Sequence, residues 1–296
     1  MGGMTPAVTA TSTIALTGAG GRLGWFLQQA LGQAAYAVHP LDRQVHGDLT
    51  QTDFRPFLAG CSALIHAAFD HIPGKYRGGE GDDPIQFWDR NFQSTLRFLE
   101  QAREVGVQRV VLFSSRAIYG SHQQFDAPID EGEPAQPDSH YGAIKGAIER
   151  LAPLYTDAKM QVTVLRPTGI YGGPMALNKW GPMVREAGKG RLPTTNKTAT
   201  EVHGATVAQA AIMALTDPEN RMAGQVFNLS EVKVTTAQIL TWTRIDTAAM
   251  PPAKPMQGPE LSSQRLQDLG LRLSGDSEIE QCARQLAQYL RQGSPT

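Results

Sequence analysis

An α/β fold is what this 296-residue sequence predicts: a doubly wound parallel sheet, closed by a smaller and mostly helical C-terminal cap. Three observations predict it. Over the first two-thirds of the chain, short apolar runs alternate with segments whose apolar residues recur at helical spacing. A glycine-rich turn joins the first apolar run to the first helical segment. After Arg166-Pro167 that rhythm stops, and Gly and Pro become frequent.

Taken in order, Thr13 to Leu16 reads as a buried strand, followed by the Gly turn and a helix from Arg22 to Leu31. Tyr36 to Leu41 is a second strand, Phe54 to Leu58 belongs to a short helix, and Cys61 to His66 is another buried strand. Pro84 to Val105 places Phe87, Trp88, Phe92, Leu96 and Leu99 on one helical stripe. Val107 to Phe113 is a strand, Ser139 to Tyr155 a helix and Val162 to Leu165 a strand. Beyond them, Gly172-Gly173-Pro174 and Gly181-Pro182 punctuate a helical region, and Val226 to Leu229 reads as one more strand rejoining the sheet. Met250 to Pro259 is a Pro-rich loop, and Glu278 to Leu290 is a closing amphipathic helix. The domain expectation is a flexible tail over 1–12, a nucleotide-binding domain over 13–175 with a return segment at 203–230, and a cap over most of 176–296.

Composition excludes several classes. With 27 basic and 28 acidic residues the net charge is -1, so neither nucleic acid nor an anionic membrane surface is an expected partner. No apolar run approaches the ~18 residues of a membrane span, and the first residues lack the pattern of a signal peptide. Cys61 and Cys282 have neither metal nor redox spacing, which fits a reducing, cytoplasmic setting. His66, His71, His122, His140 and His203 also lack metal spacing, so no metal is expected.

The chemistry resides in three segments. In Thr17-Gly18-Ala19-Gly20-Gly21-Arg22-Leu23-Gly24, the glycines follow a strand and open a helix, the context in which backbone N–H groups and a helix N-terminus cradle a dinucleotide pyrophosphate. Asp42, after the second strand, is placed to accept hydrogen bonds from an adenosine ribose, which favours NAD; Arg22 and Arg43 flank it and keep NADP as an alternative. Ser114 and Ser115 stand at the carboxyl end of a strand, where open α/β sheets bind ligands. Tyr141 and Lys145 share one helix face, so the Lys charge favours the phenolate and makes Tyr141 a general acid or base. Ser115 supplies a hydroxyl to a substrate oxygen, and Lys145 also reaches the nicotinamide ribose.

Together these residues resemble the extended short-chain dehydrogenase/reductase family, also called the NAD-dependent epimerase/dehydratase family, over residues 13 to 230, with a weaker echo to about 275. The resemblance implies a Rossmann-type domain, with catalytic Ser115, Tyr141 and Lys145. It adds Asp48-Leu49 on the adenine side, Ala67 and Ala68 along the cofactor, Asn91 on the long helix, and Ser114, Pro167, Gly169 and Ile170 near the nicotinamide. It also implies a homodimer through the helices around 84–105 and 139–157.

Departures from the family pattern narrow the substrate. Arg116 and Ala117 stand where family dehydratases carry Asp-Glu, which points away from dehydration. Gly169 replaces an Asn usual in nucleotide-sugar epimerases, Ala199 and Thr200 stand where a diphosphate-clamping Arg is often found, and Thr206 replaces an acid. The loop from His71 to Asp83 holds Lys75 and Arg77 over the cleft. With Phe69, His71, Arg116, Trp180 and Arg185 (and Lys189 as a further cation) they form the expected substrate surface. The leading expectation is an NAD(P)-dependent oxidoreductase acting on a secondary alcohol or ketone of a small anionic polyol, sugar acid or hydroxy acid. The alternatives are a sugar or nucleotide-sugar epimerase with tightly held NAD, and a non-catalytic dinucleotide sensor.

Overall fold

The computed structural model describes residues 8, 12–72, 75, 78–122 and 125–292. β1 (Thr13–Thr17) leads through the Gly turn into α1 (Arg22–Gln33), β2 (Ala37–Leu41), the short helices α2 (Arg43–His46) and α3 (Arg55–Leu58), and β3 (Cys61–His66). A long helix then runs in three parts: α4 (Pro84–Trp88), a π-helical turn over Asp89–Gln93, and α5 (Ser94–Glu104). β4 (Arg109–Phe113) is followed by a tight helical turn at Arg116–Tyr119, then α6 (His140–Glu149), α7 (Leu151–Tyr155) and β5 (Gln161–Pro167). Next come β6 (Gly169–Tyr171), α8 (Gly181–Ala187), β7 (Asn196–His203), α9 (Gly204–Thr216), β8 (Val226–Leu229) and β9 (Val232–Thr235). The chain closes with α10 (Thr236–Trp242), β10 (Ala253–Lys254), α11 (Gln264–Asp268) and α12 (Asp276–Arg291).

Six strands form a parallel sheet in the order β2-β1-β3-β4-β5-β8. Its central strands are buried and mostly apolar because helices cover both faces: every residue of β4 and β5 is buried. On one face Leu27 and Leu31 of α1 pack with Val207 and Ala211 of α9. On the other, Phe98 and Leu99 of α5 pack with Ile144 and Ile148 of α6. Each of the Leu, Val, Ile and Phe side chains among these contributes roughly 1.5–3 kcal/mol by leaving water. Within the segment expected as a tail, Val8 is docked: it is buried in the first layer, and its N–H donates to Leu215 O at 3.2 Å.

A third cluster gives the C-terminal part its own core, with Tyr171, Trp180, Val184, Leu240, Ile279 and Leu286. This cap holds a small mixed sheet as well as helices: β7 pairs in parallel with β6 and β10 and antiparallel with β9. The β-branched residues of Thr198–Val202 and Val232–Thr235 suit strands. Each run is short, and it becomes a strand only because the other completes its ladder. α9 and β8 carry the chain back to the main sheet, where β8 pairs in parallel with β5.

Candidate active site

Because β1 lies between β2 and β3, successive crossovers leave it in opposite directions and open a crevice at the strands' carboxyl ends. A cleft of about 1270 Å³ occupies that crevice. It exceeds the roughly 300–1,000 Å³ of a site for one small ligand, so a dinucleotide and a substrate can share it.

The Gly turn forms the floor. Gly18 has φ +71°, and a Cβ there would lie 2.8 Å from Ala67 C and Ala68 N, so the turn touches the next strand's exit directly. At Gly24 a Cβ would sit 2.1 Å from Gly18 O, which shows how closely α1 begins against the turn. No side chain caps α1. Its first-turn N–H groups, with Gly20, Gly21 and Leu23 along the cleft, therefore face the position of a pyrophosphate. Arg22 is turned elsewhere: its guanidinium donates to Leu177 O at 2.8 and 2.6 Å and braces the turn to the cap.

The adenine end is acidic. Asp42 caps α2 by accepting from Gln44 N at 2.7 Å. Asp48 accepts from the Thr50 N–H and hydroxyl, which lower its pKa below the usual carboxylate value and keep it ionised. Leu49 lines the same end, and Arg43, largely exposed, lies 3.9 Å from Asp70.

Between the two ends a buried hydrogen-bond relay fixes the strand exits. Thr17 Oγ1 accepts from Ala68 N at 3.1 Å and lies 2.8 Å from His66 Nδ1, while His66 Nε2 lies 3.2 Å from Thr95 Oγ1. Burial, with the Lys145 charge, pushes His66 down to about 3, so the ring is neutral. Thr95 Oγ1 gives its proton to Asn91 O at 2.6 Å, so it accepts from His66 Nε2–H, and Nδ1 then accepts from the Thr17 hydroxyl. Ala67 and Ala68 line the cleft as expected. Asn91 also lines it, but its amide is occupied: it accepts from Asp70 N at 2.8 Å and donates to Asp70 O and Phe87 O at 2.9 Å. It stands on the π-helical turn and anchors the loop after β3, beside the cleft where the cofactor is expected.

The catalytic candidates converge from β4 and α6. Ser114 N donates to Leu165 O at 2.7 Å, and Ser115 Oγ accepts from Ala117 N at 3.2 Å, which leaves its proton to give to a ligand. Ser139 caps α6 by accepting from Gly142 N at 3.2 Å. A Cβ at Gly142 would lie 2.3 Å from Ala117 O, so α6 docks directly on the turn after Ser115 and brings Tyr141 to the same place. Tyr141 is nearly buried, edge-on to the Phe69 ring at 5.0 Å. Lys145 Nζ donates to Phe113 O at 2.7 Å, 4.2 Å from the Phe69 ring centroid and 5.8 Å from that of Tyr141. Burial lowers its pKa to about 7, against the pull of Glu149. Phe69, expected on the substrate surface, is thus also the wall that holds Tyr141 and Lys145.

Pro167, Thr168, Gly169 and Ile170 line the end of the cleft expected to hold the nicotinamide. Ser114 Oγ and Thr168 Oγ1 are buried, line this cleft and have no hydrogen-bond partner among the described residues. Buried hydroxyls are normally paired. With the free helix N-terminus, these two match the polar groups of a bound dinucleotide.

At the substrate end His71, Lys75 and Arg116 line the cleft, joined by Lys179 and Gln257. Arg77 lies outside the described residues. Trp180 is buried and stacks on Tyr171 at 5.7 Å in the cap core, so it does not face the cleft. Arg185 is exposed on α8, and Lys189 is bound to Glu186; neither lines the cleft.

Sequence reasoning missed several carboxylates. Glu201, buried on β7, pairs with Lys179, and a Cβ on Gly169 would lie 2.5 Å from Glu201 Oε2 and 2.8 Å from Lys179 Nζ. This ion pair fills the volume that a larger residue at 169 would need. Glu231 supplies the acid absent at Thr206: it accepts from the Thr206 hydroxyl, from His203 N at 2.8 Å and from Ser274 N at 3.0 Å. Glu149 clamps Arg166 at 2.7 Å through both guanidinium branches, and Arg166 donates to Tyr119 Oη at 2.6 Å. In the sequence these were isolated charges, with nothing to mark their partners.

Comparison with known proteins shows the family and the fold. The model of the NAD dependent epimerase/dehydratase family matches residues 14–230. A UDP-glucose 4-epimerase of Streptomyces lividans is 34% identical over 110 residues, which covers 36% of this chain and 31% of that protein. The matched span is thus about a third of the relative's length. Among solved structures, MoeE5 in complex with UDP-glucose and NAD superposes with a TM-score of 0.78 at 23% identity, covering 96% of this chain and 100% of the other. The UDP-glucose 4-epimerase of Thermus thermophilus in complex with NAD gives 0.74 at 21% identity, covering 96% and 100%. At these identities the structural likeness is one of fold.

Proposed function

We infer the reaction from the family: this chain belongs to the NAD dependent epimerase/dehydratase family and is an NAD-dependent enzyme of the extended short-chain dehydrogenase/reductase type. We propose that it is an epimerase of a nucleotide sugar, inverting a ring carbinol by oxidation and re-reduction with no net change in NAD. This is the alternative, not the leading, expectation from sequence. What carries it is the convergence of Ser115, Tyr141 and Lys145 at the inner end of a cleft large enough for dinucleotide and substrate together. The nucleotide-sugar relatives support it.

NAD, when bound, supplies a hydride acceptor that can return the hydride. The chain's own residues handle the proton. The Tyr141 phenolate takes the carbinol hydroxyl proton as the carbonyl forms, and the phenol returns it when the other face is reduced. Ser115 donates to the reacting oxygen and stabilises its developing charge. The Lys145 ammonium favours the phenolate across the Phe69 wall. Lys75 and Arg116 give the substrate end a cationic lining, beside a Lys179 whose charge is paired with Glu201. That lining suits a diphosphate, and it is equally the reason to retain a second reading, net oxidation of a small sugar acid or hydroxy acid. A further part of the proposal is a homodimer through the outer faces of α4 and α7, where Ile85 and Leu154 stand exposed at 76% and 72%.

Purified protein with NAD is incubated with UDP-glucose, UDP-galactose, UDP-N-acetylglucosamine and UDP-glucuronate, and with a panel of hydroxy acids. Epimers are followed by proton NMR and reduced cofactor by absorbance. Epimer formation without accumulating NADH is the expected result. Stoichiometric NADH from a hydroxy or sugar acid, with no epimer from any nucleotide sugar, would establish the second reading instead.

A further inference from the structure

Outside the cleft, His203 at the end of β7 and Glu278 and Cys282 on α12 bring their ligand atoms within 4.8 Å of one another. Glu278 and Cys282 are one turn apart, so the helix presents both on the same face. Cys282 Sγ donates to Glu278 Oε1 at 3.7 Å, and His203 Nε2 lies 4.0 Å from that same oxygen. The imidazole is held in place by aromatic rings, with Phe26 edge-on at 5.1 Å and Tyr171 at 5.1 Å. Glu278 has no Lys or Arg partner among the described residues. Glu231 adds a second carboxylate nearby, bound to neutral donors: the Thr206 hydroxyl, the His203 and Ser274 N–H groups, and Tyr171 Oη at 3.4 Å. The corner is therefore electronegative, and it holds a nitrogen, a sulfur and an oxygen ligand.

We propose that His203, Glu278 and Cys282 form a site for a thiolate-seeking divalent metal, zinc above all, held by three protein ligands with a fourth position open to water. The ligand set argues for this metal class: a thiol and an imidazole select zinc over magnesium or calcium, which require oxygen ligands. Contraction of the triangle by about 1 Å brings the three atoms to the separations set by metal–ligand bonds of roughly 2.0–2.3 Å. Binding converts the Cys282 thiol to a thiolate and releases its proton to solvent, with no change in oxidation state. The free thiol, which burial pushes up to about 12, keeps its proton until the metal arrives. Sequence spacing concealed the site because the ligands come from two elements far apart in the chain. Occupied, it ties the terminal helix of the cap to the strand that carries Glu201, the ion-pair partner of the cleft residue Lys179.

Cobalt(II) is the probe. The full chain, prepared without a histidine tag and stripped with chelator, is titrated with cobalt and then with zinc. One equivalent of cobalt with a thiolate charge-transfer band in the near ultraviolet is expected. Zinc should displace the band and raise the thermal midpoint. Cys282→Ser should abolish the band, Cys61→Ser should retain it, and Glu278→Gln, at a half-exposed position, should weaken cobalt binding at least tenfold. Absence of the band, its persistence in Cys282→Ser, or unchanged affinity in a folded Glu278→Gln would each overturn the proposal.

Discussion

Lys145→Met should make the cofactor-free protein more stable while removing its activity. Lys145 is 6% exposed and, among the described residues, has no carboxylate in contact; its one hydrogen bond is to Phe113 O. Burial lowers its pKa from 10.5 to about 7. At about 1.4 kcal/mol per unit, holding the ammonium costs the fold roughly 4–5 kcal/mol wherever both states are protonated, that is below pH 7. Between pH 7 and 10.5 the unfolded chain binds the extra proton, so wild-type stability gains from this group as pH rises, and the cost is gone above 10.5. Methionine removes the charge but leaves the Phe113 carbonyl unsatisfied, at about 1–3 kcal/mol. The variant should therefore exceed wild type by roughly 1–4 kcal/mol near pH 6 and lose that advantage near pH 10. Urea unfolding of nucleotide-free protein at a series of pH values measures the difference. The reasoning fails if the variant is the less stable at pH 6, or if the gap between the two proteins does not change across that range.

Tyr141→Phe and Ser115→Ala should each lower kcat by about 10²–10⁴-fold with little change in NAD affinity, measured on whichever substrate turns over. Gly18→Ala should weaken NADH binding by at least tenfold in a fluorescence titration, because its Cβ would meet the Ala67–Ala68 backbone at 2.8 Å in a left-handed conformation that alanine disfavours. Glu149→Gln should cost about 3–5 kcal/mol in denaturant unfolding, since it leaves the Arg166 charge buried without its partner.

Local patterns in the sequence carried the cofactor side. A turn such as Gly18–Gly24, or a pair such as Tyr141 and Lys145 one helical turn apart, has its geometry set by near neighbours in the chain, so residue type and spacing are enough to place it. The main sheet was legible for the same reason, because each buried strand is a continuous apolar run. The cap's small sheet was not, because β7 (Asn196–His203) is too polar, and β9 too short, to read as strands until they pair. One sequence-level assignment failed in a related way: Trp180 carries a side chain suited to ligands, but its neighbour in space, Tyr171, stacks on it in the cap core.

Gly169 shows why the substrate side resisted such reading. As a single letter, it read as a residue near the nicotinamide that stands where nucleotide-sugar epimerases usually carry an Asn. In the fold it is the space taken by the Lys179–Glu201 pair, so the change at 169 and the charges at 179 and 201 are one feature spread over three sequence positions. The same holds for Thr206, whose missing acid returns as Glu231 from the adjoining strand turn. Both substitutions keep the charge or the volume and change which residue supplies it. An absent motif residue therefore counts against a function only after its neighbours in space have been searched for a replacement, and here that search weakens the sequence-level case against a nucleotide-sugar substrate.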